Sequence, residues 1–257
     1  TEAAKEEKAD AGELRTYKLG VNGSDHEEWE KANELLQKDN IKLEMVEFSD
    51  YVKPNEALED GEIDLNAFQT EIYFNNFVKE RGYTDLGILA YTQVAPMGIY
   101  SSKYKSLDEA TGHLIIAIPN DVTNGGRALK FLEKNGFLTL KKEAGLTPTV
   151  MDIEKYNKDV EIVEMVATQI PASLPDLSFA CINNGVAKDA GLTLKNDAIV
   201  YEDYKEPDMK NYWNIIAAKK DRIESEDFQK IKKAYNSDEV KQIVLEHYDG
   251  QSIPVWD

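Results

Sequence analysis

One cysteine, Cys181, stands in 257 residues. That excludes an internal disulfide and any metal centre built on several thiolates. Cys181 lies in the apolar stretch LSFACIN, where cysteine behaves as a small buried hydrophobe rather than as a nucleophile. Histidine is equally scarce: His26, His113 and His247 are scattered and are expected to be solvated. His26-Glu27 opens like a zincin HExxH, but Glu30 occupies the place of the second histidine. No metal site and no cofactor is therefore expected. No apolar run of about 18 residues occurs, so no membrane-spanning helix is expected. Positive charge is short as well: 30 Lys and Arg against 48 Asp and Glu leave a formal net charge of −18. Nucleic acid and anionic lipid surfaces attract the opposite sign, so neither is an expected partner. The GxxxxGK[ST], GxGxxG and GxSxG patterns and an EF-hand loop are all missing. Candidate catalytic groups are few, and the chain reads as a binder rather than an enzyme.

What is present is a hydrophobic fraction of 42%, enough for a sizeable core. The most informative stretch is Leu114 to Leu129, LIIAIPNDVTNGGRAL. Leu114 to Ile118 reads as a buried parallel strand, and Pro119 ends it for want of an N–H. Asn120 to Asn124 read as a loop in which Gly125 and Gly126 let the backbone bend, with a helix from about Arg127 to Lys134. Free N–H groups and the helix dipole at such a loop favour an anion, and Arg127 adds a planar fork of donors suited to a carboxylate. The same residues also fit an arginine on an ordinary surface helix.

The opening is a βαβ unit: a strand over Thr16 to Val21, a helix over Glu27 to Lys38 and an alternating strand over Ile41 to Phe48. Further strands are expected at Glu62 to Phe68, Tyr83 to Ala90 and Gln93 to Tyr100, with a helix at Gln69 to Glu80. A second series follows: strands at Asp159 to Met165, Leu177 to Ile182 and Asp197 to Tyr201, with helices at Ala167 to Leu174 and Asn183 to Ala190. A strand at Tyr212 to Ala218 and two helices over Ser225 to His247, broken near Ser237, complete the chain. Two such series predict two α/β lobes with a ligand between them. The loops after the strands carry aromatics, amides and one arginine, which suits a small zwitterion with an apolar side chain. Residues 1–14, Ala/Glu/Lys-rich without an aromatic, read as a flexible tether. The chain opens on Thr1, so a targeting segment is expected to have preceded it.

With NAFQ at Asn66 to Gln69, PMGIYS at Pro96 to Ser101, AIPNDVTNGGRAL at Ala117 to Leu129, CINNGVAKDAGL at Cys181 to Leu192 and YWNIIAAKKD at Tyr212 to Asp221, the chain closely resembles the NlpA/MetQ family. These are lipid-anchored substrate-binding proteins of methionine-type ABC importers. The resemblance runs from about Tyr17 to Trp256. It implies a two-lobe periplasmic-binding-protein fold of type II, with lobe one at 15–100 plus 214–257, lobe two at 101–213 and the ligand in the cleft. It implies that Arg127 pairs with a ligand carboxylate and that Asn183 and Asn214 hold its polar groups. It also implies that Phe68 and Tyr73 pack on its side chain. Asn124 and Thr70 complete the expected binding set. Taken alone, Phe68 and Tyr73 also fit ordinary core, Asn183 a helix cap and Asn214 a strand end. Thr70 departs from the family, which usually has histidine there; this leaves methionine, a derivative, another amino acid or a short peptide as the ligand. The implied partners are a membrane permease and its ATPase. The implied location is extracytoplasmic, with a lipid anchor on a preceding cysteine. A sensor domain for a receptor is the alternative, and an enzyme on the same fold a more distant one.

Overall fold

The computed structural model describes residues 12–256, so most of the expected tether lies outside the described residues. The first sheet begins with β1 (Arg15–Asn22), α1 (Glu27–Leu36) and β2 (Ile41–Phe48). β1 and β2 run parallel in unbroken register from Arg15 opposite Ile41 to Asn22 opposite Phe48. Trp29, Ala32 and Leu36 recur on one face of α1 and are buried with Leu19, Val21, Ile41 and Leu43. Asn33 straps helix to strand, donating 2.8 Å to the Leu43 carbonyl and accepting 2.7 Å from its N–H. Then follow α2 (Lys53–Glu59), β3 (Leu65–Asn66), α3 (Glu71–Arg81) and β4 (Leu86–Val94).

β4 is one strand to Val94, where two strands broken near Tyr91 were expected. Ala95, Pro96 and Met97 leave the sheet, since Pro96 has no N–H for a ladder. The chain then enters a second sheet through β5 (Gly98–Tyr100) and β6 (Leu114–Pro119). The first sheet is thus left between Val94 and Gly98, a few residues before the expected lobe boundary at Tyr100. Next come α4 (Val122–Lys134), β7 (Leu138–Leu140), β8 (Ile153–Tyr156), β9 (Val160–Met165), α5 (Ile170–Ser173), β10 (Phe179–Ile182), α6 (Asn184–Asp189) and β11 (Ala198–Tyr201). The paired ribbon β7–β8 was not expected, because strands this short show no usable period. The helix expected over Ala167 to Leu174 reduces to the single turn α5 between 3₁₀ turns, as Pro171 and Pro175 interrupt its hydrogen bonds.

The chain returns through β12 (Trp213–Lys219), α7 (Lys220–Ile223), α8 (Glu226–Tyr235), α9 (Asp238–His247) and β13 (Ile253–Pro254). The first sheet has the order β13-β4-β12-β3-β1-β2 and the second β11-β5-β10-β6-β9. Each has its own packed core, one around Trp29, Leu65, Phe228 and Tyr235 and the other around Ile116, Leu129, Phe137 and Phe179. This is the two-lobe periplasmic-binding-protein architecture, with a cleft between the lobes. No helix among the described residues is long and apolar enough to cross a membrane.

Candidate functional site

The cleft between the two sheets has a volume of about 840 Å³. All seven residues singled out from sequence line it: Phe68 and Thr70 from the β3–α3 turn, Tyr73 from the first turn of α3, Asn124 and Arg127 from α4, Asn183 before α6, and Asn214 from β12. Loops at the carboxyl ends of parallel strands converge here, as open α/β sheets require.

α4 begins at Val122, five residues before the expected start. Asp121 caps it, accepting 2.8 Å from the Asn124 N–H. Gly125 and Gly126 therefore sit inside the first helical turns rather than in a bend. Their role is close approach: a Cβ on Gly125 would stand 2.7 Å from the Pro119 carbonyl oxygen, and one on Gly126 3.0 Å from Thr147 Cα.

Arg127 is only 3% exposed. Its Nε donates to both Glu202 oxygens at 3.0 and 3.1 Å, and Nη2 to Glu202 Oε2 at 2.5 Å and to the Ala95 carbonyl at 2.9 Å. The Tyr212 ring stacks 4.2 Å from the guanidinium. The expected open fork is therefore occupied by Glu202. Nη1 alone has no hydrogen-bond partner among the described residues. Glu202 went unnoticed in the sequence, where a glutamate after Tyr201 carries no motif.

Asn183 stands at the cap position of α6 without capping it by its side chain. Its Nδ2 donates 2.8 Å to Asn124 Oδ1, which leaves Asn183 Oδ1 buried and unpartnered. Asn22 and Asn184 share this arrangement. Asn22 Nδ2 donates to the Phe48 and Asp50 carbonyls at 3.0 and 2.9 Å, Asn184 Nδ2 to the Gln251 carbonyl at 2.9 Å, and both Oδ1 atoms are orphaned. Since each Nδ2 meets a carbonyl, the amides cannot flip to relieve the oxygens. Each buried unpaired acceptor costs about 1–3 kcal/mol, so the cleft favours a guest that brings N–H donors. An ammonium brings three.

The apolar wall consists of Phe68, Tyr73 and Tyr51, with ring centroids 6.0–6.2 Å apart. Tyr73 donates 2.8 Å to the Tyr51 carbonyl. Burial, with Asp121 nearby, pushes both phenols well above their usual range, so they remain neutral. Thr70 caps α3, its hydroxyl accepting 3.3 Å from the Tyr73 N–H, and pairs across an isolated bridge with Asn214. Behind it a closed amide network fixes the turn: Gln69 exchanges bonds of 2.7 and 2.8 Å with Asn55 and donates 2.8 Å to Asn66 Oδ1.

At another part of the cleft, Glu28 is 5% exposed and accepts 2.5 Å from the Tyr248 hydroxyl. Burial raises its carboxyl above the usual range. On the rim the exposed His247 sits between Asp25 and Glu27, at 2.8 and 3.1 Å: it is a surface histidine, as expected, and it is paired with two carboxylates. Those three side chains could together face a cation. The imidazole already bridges the carboxylates, however, and Lys188 Nζ stands 3.6 Å from Asp25. His113 likewise lies between Asp159 and Glu161, which raise its pKa, on an exposed surface. Cys181 is fully buried, and burial raises its thiol far above neutrality.

Comparison with known proteins covers nearly all of the described chain. The family model for NlpA lipoprotein matches residues 17–256. The D-methionine-binding lipoprotein MetQ of Escherichia coli K12 is 40% identical over 243 residues, 93% of this chain and 88% of that protein. The probable D-methionine-binding lipoprotein MetQ of Vibrio cholerae is 40% identical over 225 residues, 88% and 82% of the two chains. Among solved structures, the substrate-binding protein of a methionine transporter from Streptococcus pneumoniae superposes with a TM-score of 0.87 at 37% identity, covering 94% of this chain and 96% of that one. A nutrient-binding protein from Burkholderia cenocepacia bound to methionine gives 0.87 at 35% identity, over 93% and 100%. By sequence over nearly its full length and by fold, this chain belongs to the NlpA lipoprotein family.

Proposed function

We propose that this chain is the substrate-binding protein of an ABC importer and captures methionine or a close relative between its lobes. The observation that carries the reading is the pairing of one open guanidinium nitrogen, Arg127 Nη1, with three orphaned asparagine oxygens beside an aromatic wall. A zwitterion with an apolar side chain answers all three features. Arg127 and Asn214 would meet the carboxylate, Asn183 the ammonium, and Phe68, Tyr73 and Tyr51 the side chain. Thr70 leaves room beside that side chain, which keeps methionine derivatives, other amino acids and short peptides within the ligand class. The lobes follow the two sheets, and the crossings at Ala95 to Met97 and before Trp213 serve as the hinge. The names of the relatives support a lipid-anchored, extracytoplasmic protein that hands its ligand to a permease driven by an ATPase. The same names favour binding over turnover.

A ligand that binds only the folded state stabilises it by RT ln(1 + [L]/Kd). With micromolar affinity, 1 mM L- or D-methionine should add about 4 kcal/mol and raise the melting midpoint by roughly 8 °C or more. A thermal-shift series over both methionine enantiomers, the other amino acids and methionine peptides reads this directly. A midpoint unmoved by every one of them would sink the proposal.

A further inference from the structure

Arg127 is charge-balanced before any ligand arrives. Glu202, 9% exposed, takes Nε and Nη2, and its Oε2 is fixed in turn by the Met97 N–H at 2.7 Å. The Ala95 carbonyl and the Tyr212 ring hold the guanidinium from two other sides, so the pair has no room to separate. A carboxylate reaching Nη1 would thus add a third charge to a buried ion pair and leave one negative charge in excess. Burying an unbalanced charge is expensive.

The cleft holds no free cation among its described residues to absorb that excess. Lys188 is engaged with Asp25 and lies over the Tyr248 ring, and His26 Nε2 contacts the Gly23 carbonyl. Asp25, Glu28, Glu47 and Asp189 line the same space and add to the negative side. What the cleft offers besides is acceptors: the orphaned oxygens of Asn22, Asn183 and Asn184. The compensating positive charge must therefore come from the ligand. We propose that Glu202 is the charge-selectivity residue of this cleft: by neutralising Arg127 it admits a carboxylate only on a ligand that also carries an ammonium. Fatty acids, 2-keto acids and N-acylated amino acids are rejected on charge, whatever their side chains. This inference rests on the amino-acid reading of the cleft.

The test compares methionine with 4-(methylthio)butanoate, the same molecule without its amino group, by titration calorimetry. The wild-type protein should prefer methionine strongly. Glu202→Gln should cut that preference about tenfold or more by favouring the deamino acid, since Gln keeps the shape while removing the charge. A merely structural role would weaken both ligands alike. Glu202→Asp, which keeps the charge, should keep the preference. An unchanged preference in folded Glu202→Gln overturns the proposal.

A second measurement needs no variant. The wild type should bind the deamino compound only as the neutral acid, so its affinity should rise about tenfold per unit as pH falls from about 7.5 to 5.5. Methionine affinity should show no such tenfold-per-unit rise over that range, although Glu28 and Asp189, whose carboxyls burial raises, line the same cleft. Tyr212, Cys181 and Tyr51, the titratable groups coupled to the pair, stay neutral there because burial raises all three. A deamino affinity that rises no more steeply than that of methionine overturns the proposal. If neither compound binds, the comparison is made with the amino acid or peptide that raises the melting midpoint and its own deamino analogue; no such ligand at all overturns the functional reading itself, whereas binding without discrimination overturns this inference alone.

Discussion

Because Arg127 hydrogen-bonds Glu202 through two of its nitrogens in a buried site, truncating it does more than remove a ligand contact. It strands a buried carboxylate. Arg127→Met should cost about 3–5 kcal/mol of folding stability in urea denaturation, in addition to lost ligand affinity. The double variant Arg127→Met, Glu202→Leu should recover at least half of that stability and none of the affinity. A single variant as stable as the wild type would show that the pair carries little of the fold. From sequence alone the arginine reads as an open fork. Its partner lies 75 residues further on, and nothing local marks that distance. Asn183 has the same character: its position at the start of a helix suggests a cap, whereas Asn124 actually claims its amide nitrogen.

Elements whose burial follows a simple period were legible in the sequence. β1, α1 and β2 bury alternate or third and fourth residues, and their ends fall within about two residues of the expected ones. The amino end of α4 was not legible. Val-Thr-Asn-Gly-Gly is poor helix-forming sequence, yet Asp121 caps it and the glycines let it press against Pro119 and the Thr147–Pro148 backbone. Tertiary packing outweighs propensity there. Gly125→Ala should therefore destabilise the protein by about 1–2 kcal/mol net, although helix propensity favours alanine by about 1 kcal/mol, because a methyl at this site meets backbone. At Gly185, in the first turn of α6, an added methyl would meet nothing within 4 Å, so Gly185→Ala should be neutral or slightly stabilising and serves as the control. Equal effects of the two substitutions on thermal midpoints would remove packing as the reason for the α4 glycines.

At the scale of the whole molecule, several polar contacts join the segments on either side of the cleft, among them Leu194 N–H to Gln251 Oε1 at 3.0 Å and Lys195 Nζ to Asp249 at 3.2 Å. Arg127 reaches the Ala95 carbonyl, Asn184 the Gln251 carbonyl, and Lys188 donates 3.1 Å to the Asp25 carbonyl. Lys188 stands partly exposed on the rim of the cleft, so truncating it removes a contact across the cleft without opening a core. Lys188→Ala should shift the unliganded protein toward a more open form, read as a larger radius of gyration by small-angle scattering. Saturating methionine should restore the wild-type profile, at an affinity about fivefold weaker, the worth of one screened charged contact near 1 kcal/mol. Identical scattering of the two unliganded proteins would show that Lys188 does not bias closure.

Periodicity, charge and five ordered motifs were enough to place this chain in its family and fold, because alternation and helical repeats are written locally and a family's motifs survive as strings. They also drew attention to seven side chains that converge on one cleft. The folded chain alone could settle how each polar group in that cleft is partnered: which nitrogen of Arg127 stays open, which asparagine oxygens are orphaned, and that Glu202 faces the arginine. Hydrogen bonds and ion pairs form between groups that are near in space and distant in sequence, and no local pattern encodes that proximity.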